Sequence, residues 1–301
     1  MMSFKDKKVK ALSTRAAAVF LSLLFAFLIC LSGCSSAPKK PAEIFTERNV
    51  GASQLNLANQ IASRGRYEEA LRLLAEARRI ALSTDDPQLR IKTSTARGSI
   101  LFSMGRHAEA LSELESAAAE GDASGENALA SLARIYVIRA NLRLQEESGK
   151  NSAAISDLTD RLNREMALVK SDSQATAAGY VTLGMAEKLA GRWTEAESTV
   201  KKALDIHDKN RFLEEAAYDW FLIASIRSVA GNYDSSIEAL MQAIRFDRRA
   251  ENGFGLASSW QAMGDVYQKA GRTEDSRTAY RRAAEIFRAI DLNERAEQLE
   301  R

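Results

Sequence analysis

Side chains able to do acid–base, nucleophilic or metal chemistry are sparse in this chain of 301 residues. Its only histidines, His107 and His207, lie 100 positions apart, and its only cysteines, Cys30 and Cys34, sit near the start. Two distant imidazoles and a cysteine cannot assemble an ordinary zinc site. Carboxylates alone can hold a hard cation, but nothing in their arrangement points to one. Ser124 has Asp122 and Glu126 where a nucleophile elbow needs glycines, and no strand precedes it. Gly253-Phe-Gly255-Leu-Ala-Ser258 has the outline of a phosphate loop, yet it follows a helical pattern and lacks the third glycine. Glu68-Glu69 and Glu214-Glu215 fall at expected helix starts, and His207 near an expected helix end, where the helix dipole favours such charges. The reading is therefore no enzyme, no metal and no cofactor. What remains is recognition by a surface.

The elements that must carry such a surface repeat along the chain. Gly65, Gly105, Gly149, Gly191, Gly231 and Gly271 lie 40, 44, 42, 40 and 40 residues apart. Seven positions before each stand Ala58, Gly98, Leu142, Gly184, Ala224 and Gly264, and five after stand Ala70, Ala110, Ala154, Ala196, Ser236 and Ser276. Nine after come Leu74, Leu114, Leu158, Val200, Leu240 and Tyr280. This is the pattern of a helix, a glycine turn and a second helix, in which small residues let two backbones approach and larger ones fill the flanks. His107 shares the place of Tyr67, Trp193 and Tyr233, two residues past a turn, which marks it as a packing residue. One hairpin cannot bury both of its apolar sides, so neighbours must stack into a solenoid. The third copy, roughly 126–170, is irregular, with Leu142 in a small slot and Arg161 where most copies have alanine. Residues 121–125, Gly-Asp-Ala-Ser-Gly, read as a loop before it, and 85–87, Asp-Asp-Pro, as a turn into a helix start.

Three copies open with an aromatic, two residues, a bulky and then a small residue: Tyr180-x-x-Leu183-Gly184, Trp220-x-x-Ile223-Ala224 and Trp260-x-x-Met263-Gly264. On these motifs residues 50–290 resemble the tetratricopeptide repeat family. They depart from it in a period near 40 against the family's 34, and in lacking most closing prolines. The resemblance implies an all-α fold, a right-handed superhelical solenoid of about six antiparallel helix pairs, with a capping helix at 291–301. It implies also that the first helix of each pair lines a concave groove. Positions six, ten and thirteen before the turn glycines supply Asn59, Lys92, Thr95, Ser99, Tyr136, Arg139, Arg143, Met185, Tyr218, Phe221, Gln261 and Asp265 as the groove residues. The mixture of aromatic, apolar and polar groups suits a peptide-binding wall, and Tyr218 and Phe221, three apart on one helix face, form its anchor pair.

At the other end of the chain, Lys5, Lys7, Lys8, Lys10 and Arg15 stand against Asp6 and precede an apolar run over 16–31. A charged head and such a run make an export signal, and the run falls at or below the short margin of about 17 residues for a membrane span. Leu31-Ser32-Gly33-Cys34 resembles the lipobox of bacterial lipoproteins, which implies removal of residues 1–33 and a diacylglycerol on Cys34. Gly33 supplies the small residue that cleavage needs, whereas Cys30 follows the large Ile29. Ser35, where an Asp would favour inner-membrane retention, implies the periplasmic face of the outer membrane. Residues 34–49 then form the lipidated cysteine and a tether, whose proline-bearing stretch 35–43 reaches at most about 30 Å. Loss of 1–33 removes five basic residues and one acid, leaving 37 Lys and Arg against 39 Asp and Glu. That balance argues against a nucleic-acid partner. The expected function is a membrane-anchored scaffold or assembly factor, pilotin-like, for envelope proteins or peptides. The alternative is a ligand-binding accessory lipoprotein of a periplasmic transport system, which a closed pocket in place of an open groove would favour.

Overall fold

The computed structural model describes residues 46–300, and among them are thirteen α-helices and no strand. They are α1 (Thr46–Ser63), α2 (Tyr67–Ser83), α3 (Pro87–Ser103), α4 (His107–Ser124), α5 (Asn127–Ser148), α6 (Ser152–Leu168), α7 (Ser173–Leu189), α8 (Trp193–Asn210), α9 (Leu213–Val229), α10 (Tyr233–Ala250), α11 (Gly253–Lys269), α12 (Thr273–Ala289) and α13 (Asn293–Glu300). Helices of 17 or 18 residues joined by turns of two or three account for the 40-residue period. The export signal, Cys34 and the tether as far as residue 45 lie outside the described residues.

Local chemistry sets the helix ends. At Gly191 the φ is +77°, Gly191 N–H donates to the Lys188 carbonyl at 3.1 Å and Arg192 N–H to the Glu187 carbonyl at 2.9 Å. These bonds take up carbonyls that the end of α7 would leave free. Asp86 caps α3 by accepting from Leu89 N–H at 3.0 Å, with Pro87 in the first turn, and Asn151, Asp172 and Asn252 cap α6, α7 and α11 in the same way. A second class of turn, between the pairs, carries no glycine mark. There Asp85, Arg211, Glu251 and Asp291 hold φ values from +44° to +64° without a glycine's freedom.

Within a pair, the small residue seven before the turn receives the large residue nine after it. A Cβ on Gly98 would stand 2.7 Å from Leu114 Cγ and 3.1 Å from the Ala110 carbonyl, and one on Gly264 would stand 2.6 Å from the Tyr280 ring. Serine fits the fifth position because Ser236 donates its hydroxyl to the Ala224 carbonyl across the pair at 2.7 Å. In the third pair Leu142 is fully buried with Ile155, Leu158 and Leu162, filling space that glycine leaves open elsewhere, and Arg161 turns outward toward Asp157.

The loop expected over 121–125 is overturned. Helix α4 runs to Ser124, and only Gly125, at φ +77°, acts as its left-handed cap. Gly121 is buried, with Ala130 of α5 so near that an added Cβ would lie 2.7 Å from its Cβ and 3.0 Å from its backbone nitrogen. The glycine there serves close helix packing, not a turn.

The solenoid curls until its ends touch. The Tyr67 ring meets Phe254 edge-on at 5.9 Å, Arg64 reaches Glu251 at 3.9 Å, and the space beside Gly65 is closed by Leu292 and Ile290. The α1–α2 turn thus packs against α11 and the α12–α13 connection. Helix α13 seats Ala296 in a cluster with Phe287 and Ala283.

Candidate binding channel

Because the ends meet, the inner helix faces curve around a shared, half-open space. A cavity of about 630 Å³ lies inside, bordered by Ser99 and Phe102 of α3, His107 of α4, Tyr136, Arg139 and Arg143 of α5, Tyr218 and Phe221 of α9, Phe254 of α11 and Arg295 of α13. Tyr218 and Phe221 stack with ring centres 6.4 Å apart, and Tyr218 is 41% exposed. Arg139 lies 4.8 Å from the Tyr136 ring and is held by Thr182 Oγ1 at 3.0 Å and the Ala178 carbonyl at 2.8 Å. Arg295 covers Phe254 at 4.9 Å and Phe287 at 5.9 Å. His107 packs tilted against Phe102 with ring centres 4.5 Å apart, its Nε2 stands 3.7 Å from Glu147, and its Nδ1 has no hydrogen-bond partner among the described residues. The wall is aromatic, with guanidinium groups set into it.

A second compartment of about 340 Å³ shares Tyr136, Arg139 and Tyr218 with the first. Its character is acidic. Glu214, Glu215 and Asp219 of α9 border it, with His207 from the last turn of α8, Gln174 and Asn252. Asp219 is fully buried, its Oδ2 is 2.6 Å from His207 Nδ1, and its Oδ1 has no hydrogen-bond partner among the described residues. Burial raises the Asp219 carboxyl above the usual range, and the His207 hydrogen bond opposes this. Glu214 is raised chiefly by burial too. Nearby Asp247, bonded through Oδ1 to Asn252 Nδ2 at 2.7 Å, is pushed up to about 7 by its own burial and by Glu214.

Of the residues expected to line a groove, Ser99, Tyr136, Arg139, Arg143, Tyr218 and Phe221 come together around the larger cavity. Met185 lies beneath it, buried, with its sulfur 3.9 Å from the Tyr218 hydroxyl. Thr95 turns its hydroxyl back to the Ile91 carbonyl, Asp265 accepts from Tyr280 at 2.6 Å, and Gln261 is half-buried; none of the three borders the cavity. Asn59 and Lys92 are exposed elsewhere on the solenoid. Sequence reasoning missed Phe254, Arg295 and the His207–Asp219 pair. Asp219 did carry a signal, since it interrupts an apolar stripe of Ala216, Leu222 and Ile223.

These features define a class: an all-helical solenoid of stacked hairpins whose inner face borders a cavity. The sequence model of the tetratricopeptide repeat matches residues 49–119 and 214–289, just under half of the chain. No curated protein matches the chain. Among solved structures it is similar to a Rap protein complexed with competence and sporulation factor, at 13% identity and TM-score 0.55 over 85% of this chain and 74% of that one. It is similar also to the apo form of RapI, at 14% identity and TM-score 0.54 over 94% and 97% of the two chains. A third is the signal transduction ATPase with a tetratricopeptide repeat sensor from Pyrococcus horikoshii, at 15% identity and TM-score 0.54, where 86% of this chain spans 43% of the other. At such identities the likeness establishes the fold alone. Among the described residues no helix is long and apolar enough to cross a membrane.

Proposed function

We propose that this protein is a lipid-anchored scaffold of a bacterial cell envelope that captures a segment of a partner protein, or a free peptide, inside the curled solenoid. The observation that carries this is the aromatic cavity of about 630 Å³ within the superhelix, a size and lining suited to a few residues of polypeptide. Tyr218 and Phe221 supply the anchor surface, and the rigid stacked ring pair loses little freedom on binding. Anchoring rests on Cys34 and the motif before it, with the periplasmic face of the outer membrane as the proposed location. An assembly factor of the pilotin kind is the role that fits a tethered interaction module.

The meeting of the ends narrows the groove to a half-open cavity, which supports a second reading, a ligand-binding accessory of a periplasmic transport system, because a cavity of this size holds a small molecule as readily as a chain end. One experiment addresses both: crosslinking in intact cells, comparing wild type, Cys34→Ser and Tyr218→Ala/Phe221→Ala. Capture of discrete proteins, lost in the double variant, supports the scaffold. Failure to crosslink protein, with a small molecule retained on native mass spectrometry, supports the transport accessory. If Cys34→Ser stays in the membrane fraction, the lipid anchor is refuted.

A further inference from the structure

We infer that the compartment beside Asp219 is a subsite for a cationic group of the bound polypeptide, an ammonium or guanidinium whose attached chain runs past Tyr218 into the aromatic cavity. This rests on the channel binding a polypeptide, and it assigns the chemistry at one end of that ligand.

Asp219 has no exposed surface, and one of its oxygens, Oδ1, lacks any hydrogen-bond partner among the described residues while the residue borders the 340 Å³ compartment. An acceptor left unsatisfied in this way is destabilising and calls for a donor. Glu214 and Glu215, one turn earlier on α9, border the same space, as do Gln174 and Asn252. Three cations stand nearby, each with another partner: Arg139 attracts the Asp219 carboxylate but directs its guanidinium to Thr182 and the Ala178 carbonyl, Arg64 attracts Glu214 but pairs with Glu251, and His207 uses Nδ1 on the other Asp219 oxygen. Tyr136 and Tyr218 border the same space, where a ring face attracts a cation; one face of Tyr136 already holds Arg139 and one of Tyr218 stacks on Phe221. An anion would meet three carboxylates. A metal ion finds no group of three His, Cys, Asp or Glu able to hold it among the described residues. The raised carboxyls of Asp219 and Glu214 are those a bound cation would draw back toward ionisation, so binding should weaken as pH falls.

The test exposes the full-length protein in detergent to a randomised hexapeptide mixture, free or Nα-acetylated, and sequences the retained peptides by mass spectrometry. The expected result is at least about tenfold enrichment of free amino termini, Lys or Arg over Asp and Glu, lost in Asp219→Asn. Loss on acetylation assigns the α-ammonium and persistence assigns a side chain; either supports the subsite. Glu215→Gln, at an exposed residue, gives a milder variant that should lower enrichment severalfold should Asp219→Asn fold poorly. Peptides retained without cation preference, or with acid enrichment, overturn the subsite and leave the channel reading in place. Retention of nothing overturns both.

Discussion

Replacing Gly121 by alanine separates a packed helix from a loop, because the two give opposite signs. In α4 the residue is helical, so alanine alone would raise stability by about 1 kcal/mol through helix propensity. The packing opposes this: the new methyl would stand 2.7 Å from Ala130 Cβ and 3.0 Å from both Ala130 Cα and its nitrogen. Two of those three neighbours are backbone and cannot rotate away, so α4 and α5 must move apart. Overpacking of this kind costs about 1–3 kcal/mol, which leaves a net loss of up to about 2 kcal/mol. For a unit of this size that lowers the thermal midpoint by a few degrees, at about 2–4 °C per kcal/mol. A companion, Ala123→Gly, falls on an exposed helical residue and should cost roughly 0.5–1 kcal/mol. Both should be read by urea unfolding followed by circular dichroism and tryptophan fluorescence together, since stacked repeats need not unfold in one step. If Gly121→Ala is neutral or stabilising and Ala123→Gly is silent, the segment behaves as a loop and the close approach of α4 and α5 is wrong.

Asp247 titrates near 7 in the folded chain, against an ordinary value of 3.8. The folded state therefore keeps a proton between about pH 4 and 7 that the unfolded chain has lost, and this residue's contribution to stability falls as pH rises through that window. Asp247→Asn, which keeps the acceptor for Asn252, should match wild type near pH 4 and exceed it at pH 8 by on the order of 2–4 kcal/mol in denaturant titrations; equal gains at both pH values would refute the assignment. Arg211→Gly relieves a left-handed residue at φ +58° and should raise the thermal midpoint slightly, the gain of about 1–2 kcal/mol being partly offset by greater freedom when unfolded; a fall would contradict the strain. Phe254→Ala removes contacts to Tyr67 and Phe287 and should enlarge the radius of gyration in X-ray scattering while helical content stays constant; an unchanged radius would mean that the ends are held together by other contacts.

The period and the pairing of helices were legible because they rest on local chemistry. A turn glycine and a small-large exchange leave their mark at fixed spacing, as Gly98 with Leu114 and Gly264 with Tyr280 do. The second turn class left none, since Arg211 and Glu251 adopt positive φ with side chains that ordinarily avoid it. Gly121 misled because glycine signals both a turn and a tight contact, and only the partner helix tells which. In the site, Tyr136, Arg139, Tyr218 and Phe221 share a face that repeat register alone predicts. Phe254 and Arg295 could not be placed, because their position opposite His107 depends on the summed tilt of successive hairpins.

That closure changes what the inner face can do. In a stacked array each hairpin contacts only its neighbours, so stability is nearly a sum of adjacent terms and an end can fray alone. Here Tyr67 and Gly65 of the first pair lean on Phe254 and Leu292 near the far end, adding contacts between residues 187 and 227 positions apart. Phe254 belongs both to this seam and to the cavity wall, and Arg295 covers its ring from the cavity side. The exposed Arg64–Glu251 pair adds little in water. The seam therefore rests mainly on apolar contact at one rim of the channel, and whatever occupies the channel touches the same ring that holds the ends together.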